Sequence, residues 1–142
     1  MELKMPESSG ENVSLKGKRA LLVEDNDLNM EIAEFILENE GAIVTKAWNG
    51  QQAVDIFRES KPGDIDVILM DLMMPELNGI QATKLIRSMN RADASTIPII
   101  AMTANAFKED MEMSREAGMN EHLAKPLDSQ KIITTIAKYI KK

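Results

Sequence analysis

Five polar residues in this chain stand where a fold could gather them. Glu24 and Asp25 close one short apolar run (RALLVED), Asp71 a second (VILMD), Thr103 a third (IIAMT) and Lys125, followed by Pro126, a fourth (EHLAK). Singly, each has a plain structural explanation: an acid after a strand caps a helix or ends a turn, and a lone Thr or Lys says almost nothing. Jointly they bring three carboxylates, one cation and one hydroxyl to one edge. Carboxylates a few ångströms apart repel, so such a cluster persists only if some are protonated or a cation sits among them. All-oxygen ligation by two or three protein groups, with places left for water and phosphate oxygens, suits Mg2+ better than a dedicated Ca2+ cage. An EF-hand fails at the same spot. Asp25, Asp27 and Asn29 imitate its first ligands, but Met30 stands where the loop needs Gly and Ile36 where it needs Glu. Lys125 as a point charge and Thr103 as a hydroxyl donor then suit a phosphoryl group. With no other nucleophile at hand, the Asp71 carboxylate is the group that would attack phosphorus and become an acyl phosphate.

Composition narrows the chemistry to oxygen and lysine. The 142 residues include no cysteine, so there is no disulfide, thiolate nucleophile or zinc ribbon, and a single histidine excludes a multi-histidine metal site. Asp and Glu number 23 against 17 Lys and Arg, and the net charge of −6 repels DNA and anionic membranes alike. No nucleic-acid partner and no direct membrane contact are expected. No apolar stretch approaches the roughly 20 residues of a membrane span, and the polar start lacks a signal peptide's apolar core, so a cytoplasmic domain is expected.

These groups must be positioned by elements that the chain spells out as a β-α pattern repeated five times. Residues 1–16 lack hydrophobic periodicity and read as a flexible lead-in or linker, leaving 17–142 as one domain, for which 44% hydrophobic residues supply a core. Strands are expected over 19–24, 42–47, 66–71, 98–103 and 121–125. The runs ALLV, VILM and IIAM are continuously apolar, as in parallel strands covered on both faces. Leu28, Ile32, Phe35 and Ile36 form a helical stripe, as do Ala82, Leu85, Ile86 and Met89, and Ile132, Ile133, Ile136, Ala137 and Ile140; each reads as core. Gly41 and Gly118 suit left-handed helix ends, and Asp128 an N-cap. The segment 106–117 has a weaker stripe and is expected to be less firmly docked, a candidate moving part. The 11 methionines, among them Met70, Met73, Met74 and Met102, read as core filling. Five such units favour a doubly wound α/β sheet, in either of the two usual strand orders, with function at the strand C-terminal ends.

The stretches LLVEDN, VILMDLMMPELNG, PIIAMTANA and HLAKPL together resemble the receiver domain of two-component response regulators, over about residues 17–142. VEDNDLNMEIA and NGQQAVD are especially similar to receivers of hybrid sensor histidine kinases. The resemblance implies a flavodoxin-like (βα)5 fold with a five-stranded parallel sheet in order 2-1-3-4-5 and a phosphoacceptor at Asp71. It implies Mg2+ held by Asp25, Asp71 and the backbone carbonyl of Met73, with Glu24 acting mainly through water. Thr103 would be the hydroxyl that swings to the phosphoryl group, Lys125 its ion-pair partner, and the Lys125-Pro126 bond cis. The donor would be a phosphohistidine on a histidine kinase or histidine phosphotransfer domain, and the responding surface the fourth helix, fifth strand and fifth helix, through which a dimer could form.

One departure stands three residues before Lys125. Many receivers carry Tyr or Phe there, a ring that rotates inward on activation; this chain has His122, which leaves Thr103 as the primary switch residue. Met73, two residues after Asp71, offers no group to position attacking water, so self-dephosphorylation is expected to be slow to moderate. Two rivals share the fold type. A Mg2+-dependent aspartyl-phosphate phosphohydrolase usually places a second Asp where Met73 stands, and a flavin carrier needs a Ser/Thr/Gly phosphate loop where this chain has the acidic EDNDLN.

Overall fold

The computed structural model describes residues 15–74, 77–104 and 108–140; residues 1–14 of the expected lead-in lie outside them. Strands and helices alternate as β1 (Arg19–Val23), α1 (Asp27–Asn39), β2 (Ile43–Ala47), α2 (Gly50–Glu59), β3 (Val67–Asp71), α3 (Gly79–Arg87), β4 (Ile99–Thr103), α4 (Lys108–Ala117), β5 (Glu121–Ala124) and α5 (Ser129–Ile140). The strands form one parallel sheet in the order β2-β1-β3-β4-β5. Each is shorter than expected by one residue at one end, with β3 and β4 buried throughout.

Because successive strand side chains point to opposite faces, the continuous apolar runs feed two cores. Leu21, Val23, Ile68, Met70, Ile99 and Ala101 face Ala53, Val54 and Phe57 of α2 and Ala82 and Ile86 of α3. Ala20, Leu22, Val67, Leu69, Ile100 and Met102 face Met30, Ala33 and Leu37 of α1 and Ile132, Ile133 and Ile136 of α5. Leu15, the first described residue, is 1% exposed, and its N–H donates to the Glu40 carbonyl at 3.2 Å.

The α1 stripe is a correction. Leu28 (64% exposed), Ile32 and Phe35 (69%) face solvent, while Met30, Ala33 and Leu37 are buried and Ile36 is partly so. At about 100° per residue the two apolar stripes lie on nearly opposite sides of the helix, and only one can meet the sheet. The side carrying the small Ala33 lets the helix axis come close. Leu85 on α3 is likewise exposed, whereas Ala82 and Ile86 are fully buried.

Short polar side chains set the helix starts. Asn26, Asn49 and Asn78 accept from Asn29, Gln52 and Gln81 backbone N–H groups, the last within a capping box, and Asp128 accepts from Gln130 at 2.9 Å. Gly41 and Gly118 hold φ of +93° and +113°, as expected for helix ends. Among the described side chains of α4, Ser114 and Ala117 are buried and Met113 is exposed.

Candidate functional site

The parallel arrangement puts all strand C-termini at one edge, and the register levels them: Val23 pairs with Met70, Asp71 with Met102 and Thr103 with Ala124. Glu24 follows β1 immediately. Its N–H donates to the Ala47 carbonyl at 3.1 Å, fixing the backbone, and its side chain is 1% exposed. Glu24 Oε2 accepts from the Asn26 N–H at 3.3 Å. Oε1 lies 2.9 Å from Lys125 Nζ, yet no donor aligns on it as a hydrogen bond, leaving a buried acceptor held by charge alone. Asp71, 2% exposed, accepts from the Met73 N–H at 3.2 Å and lies 3.3 Å from Lys125 Nζ through the same Oδ1.

Glu24, Asp25 and Asp71 each offer a carboxylate oxygen, and these oxygens lie within 4.8 Å of one another. At an effective dielectric of about 20, a pair of charges at that separation repels by about 3 kcal/mol. One ammonium against three carboxylates leaves two negative charges uncompensated. Burial, and next the Glu24 charge, push the Asp71 carboxyl up to about 7, while Lys125 and the Met73 N–H pull it down. An all-oxygen donor set with more carboxylates than ammonium groups fits a hard dication.

The remaining expected residues divide. Thr103 is buried at the end of β4, one register step beyond the partner of Asp71, and its carbonyl accepts from the Lys125 N–H at 2.8 Å. The Lys125-Pro126 bond is cis. Met73 does not fill core as expected: its side chain is 66% exposed, and it is the backbone that stays beside Asp71. His122 lies outside the acidic cluster. Its Nε2 contacts the fully buried Ser114 Oγ on α4, and since that hydroxyl donates to the Met111 carbonyl at 3.0 Å, the ring supplies the proton between them. Burial, together with the Arg115 charge, holds His122 below its ordinary value against the opposing pull of Glu121.

Two participants carry no signal in the sequence. Ser114 is eight residues from His122, and nothing in the spacing marks the pair. Arg87, the last residue of α3, donates to the Gly118 carbonyl at 3.0 and 2.7 Å, to the Ala94 carbonyl at 3.0 Å and to Asn120 Oδ1 at 3.0 Å, pinning the end of α4.

The chain is similar to known proteins of one family. A family model described as the response regulator receiver domain matches residues 20–137. The chain is 40% identical over 129 residues to hybrid signal transduction histidine kinase I of Dictyostelium discoideum, a match spanning 87% of this chain but 7% of that protein. It is 37% identical over 123 residues to the polar-differentiation response regulator DivK of Brucella anthropi, spanning 87% of this chain and 96% of DivK. The receiver domain of sensor histidine kinase PA1611 from Pseudomonas aeruginosa, whose structure has a magnesium ion in the active site cleft, superposes with a TM-score of 0.80 at 38% identity, covering 89% of this chain and 99% of that one. The Ssk1 receiver domain of Saccharomyces cerevisiae, solved in complex with the histidine phosphotransfer protein Ypd1, gives 0.76 at 30% identity over 88% of this chain and 90% of that one.

Proposed function

Since the chain belongs to the response regulator receiver domain family of two-component systems, we propose that it is a phosphoacceptor switch that takes a phosphoryl group from a phosphohistidine onto Asp71. The observation that carries this reading is the three-carboxylate cluster, Glu24 and Asp71 buried and Asp25 exposed, with Lys125 beside it at the sheet edge. Asp25, Asp71 and the Met73 carbonyl would hold Mg2+, with Glu24 acting mainly through water. When bound, the ion offsets the carboxylate charge and that of the phosphoryl oxygens.

An Asp71 oxygen attacks phosphorus as the N–P bond to the donor imidazole breaks, and the imidazole departs with the bonding electrons. The transition state is loose, so position and compensating charge matter more than covalent push. Lys125, already 3.3 Å from Asp71, meets the incoming negative charge, and the Thr103 hydroxyl turns toward the bound phosphoryl oxygens. Drawing Thr103 inward vacates space behind β4, which α4 takes up; the altered surface comprises α4, β5 and α5, and a dimer through that surface is part of the same reading. His122, hydrogen-bonded to α4, is not a freely turning ring, and Thr103 is the primary switch residue. The protein assists its own phosphorylation and, slowly, its own dephosphorylation, since the Met73 side chain positions no water.

The partner is a histidine kinase or histidine phosphotransfer domain, as in the Ssk1 complex. Its phosphohistidine must reach Asp71, and the exposed stripe of Leu28, Ile32 and Phe35 starts in the first turn of α1, directly after the acidic pair, where an apolar flank of the donor would bear.

Incubation with Mg2+ and acetyl phosphate, followed by intact mass, tests the reading. One added phosphoryl group in the native chain and none in Asp71→Asn is the expected result, and an Asp71→Asn protein that still gains one overturns it.

A further inference from the structure

The connection from β3 to α3 carries the Met73 carbonyl, and its two described ends, residues 72–74 and 77–78, are held by backbone contacts. Its start is tied by the Leu72 N–H to the Met102 carbonyl at 3.1 Å. Its ends are tied to each other by the Gly79 N–H to the Leu72 carbonyl at 3.2 Å, with Gly79 so close that a Cβ there would lie 2.3 Å from the Asp71 carbonyl oxygen. On the flank stands a residue from a different βα unit. Gly50 opens α2, and a Cβ built on it would fall 2.1 Å from the Leu77 carbonyl oxygen, 3.0 Å from its carbonyl carbon and 3.2 Å from its Cβ.

The helix does not need glycine at this point. Asn49 already caps it by accepting from the Gln52 N–H at 2.8 Å, and alanine is the better helix former. What glycine supplies is room. Real Cβ atoms essentially never approach a neighbour within 3.0 Å, so any side chain at position 50 drives the Leu77 carbonyl back by about 0.9 Å. Leu77 packs against the core shared by α2 and α3, which limits where it can go. A shift of Leu77 therefore passes through Asn78 to Gly79, whose backbone meets the Leu72 carbonyl and lies against the Asp71 carbonyl oxygen.

We propose that Gly50 is a positioning residue for the phosphoryl-accepting edge: it touches none of the reacting groups, but the space it leaves sets where Leu77 lies and, through Asn78 and Gly79, the backbone at Asp71 and Leu72. The proposal rests on the Mg2+-dependent phosphoacceptor reading above and adds to it a dependence of the site on α2.

Gly50→Ala tests it against Gly63→Ala, a turn glycine with φ of +89° and nothing within 4 Å of its Cβ. Expected for Gly50→Ala are a folded domain, a Mg2+ affinity about tenfold weaker, slower labelling by acetyl phosphate at subsaturating Mg2+, and displaced amide resonances at Leu72, Met73 and Leu77 in the metal-free protein. Gly63→Ala should lower the melting temperature and leave Mg2+ affinity within about twofold. A Gly50→Ala protein that melts higher and binds Mg2+ as the native chain does overturns the proposal, because Gly50 is then only a weak helix starter. If Gly50→Ala does not fold, the native chain decides: movement of the Gly50 amide resonance on Mg2+ titration supports the proposal, and a stationary one overturns it. A native chain that takes no phosphoryl on Asp71 sinks the functional reading, whereas native labelling with an unaffected Gly50→Ala sinks this proposal alone.

Discussion

Helices α1 and α4 both lead away from the acidic edge, α1 beginning two residues after Asp25 and α4 five residues after Thr103, and they are fastened by opposite means. Met30, Ala33 and Leu37 press α1 onto the β1–β2 side of the sheet, a contact that tolerates small slips because apolar packing has no direction. The described attachment of α4 relies on Ser114 bonded to His122 and on Arg87 bonded to Gly118, contacts that need fixed angles and are lost with small displacements. An element held by directional bonds at one end and along one side is suited to occupy two positions; one held by a broad apolar face is suited to stay. On the proposed reading the edge then has a fixed flank, whose exposed apolar residues would meet the donor, and a flank that would move.

The contrast can be broken or sharpened by substitution. Leu37→Ala should have the largest effect, a loss of about 2–5 kcal/mol in urea unfolding, with labelling by acetyl phosphate retained in the folded fraction. Arg87→Ala, which leaves the Gly118 and Ala94 carbonyls without their donor, should cost about 1–3 kcal/mol and raise hydrogen exchange in α4 but not in α1. If both helices respond equally, the difference in fastening is not what sets their mobility.

Acidity should act on the two sides with opposite sign. In the metal-free protein Asp71 titrates near 7 rather than at 3.8, so the stability that its protonation brings is complete below 3.8 and is lost as pH rises through 7. His122 is held below 6.5, so its contribution is present above 6.5 and is lost as pH falls. Urea midpoints between about pH 8 and 5 should therefore rise on acidification more steeply in His122→Asn than in the native chain, and lose their upward component in Asp71→Asn. The smallest effect on stability is expected from Phe35→Asp, within about 0.5 kcal/mol. Labelling by acetyl phosphate should be unchanged, while transfer from a phosphohistidine protein should slow about tenfold. Equal rates from both donors would remove α1 from the docking surface.

What the chain discloses before folding follows from how local each feature is. The uninterrupted apolar runs ending in Asp71 and Thr103 marked buried parallel strands, and a parallel sheet needs little more to bring Glu24, Asp71 and Lys125 together. The side that α1 turns inward was not legible, because Leu28, Ile32 and Phe35 repeat with a helical period as regular as that of Met30, Ala33 and Leu37. The smaller residue decided it, which is a matter of approach distance and not of hydrophobicity. The exposed Met73 side chain was misjudged for a related reason: composition records how apolar a residue is, not whether the turn it occupies has an interior. The ties from Arg87 to Gly118 and from Gly50 to Leu77 join residues 31 and 27 positions apart and end on main-chain carbonyls, which every residue type presents alike.

The chain has one tryptophan, and the fold stations it at the rim of the acidic edge. Trp48 is partly exposed and directly follows Ala47, whose carbonyl receives the Glu24 N–H. If the proposed filling of the carboxylate cluster changes the surroundings of this indole, its emission times the event without an attached dye.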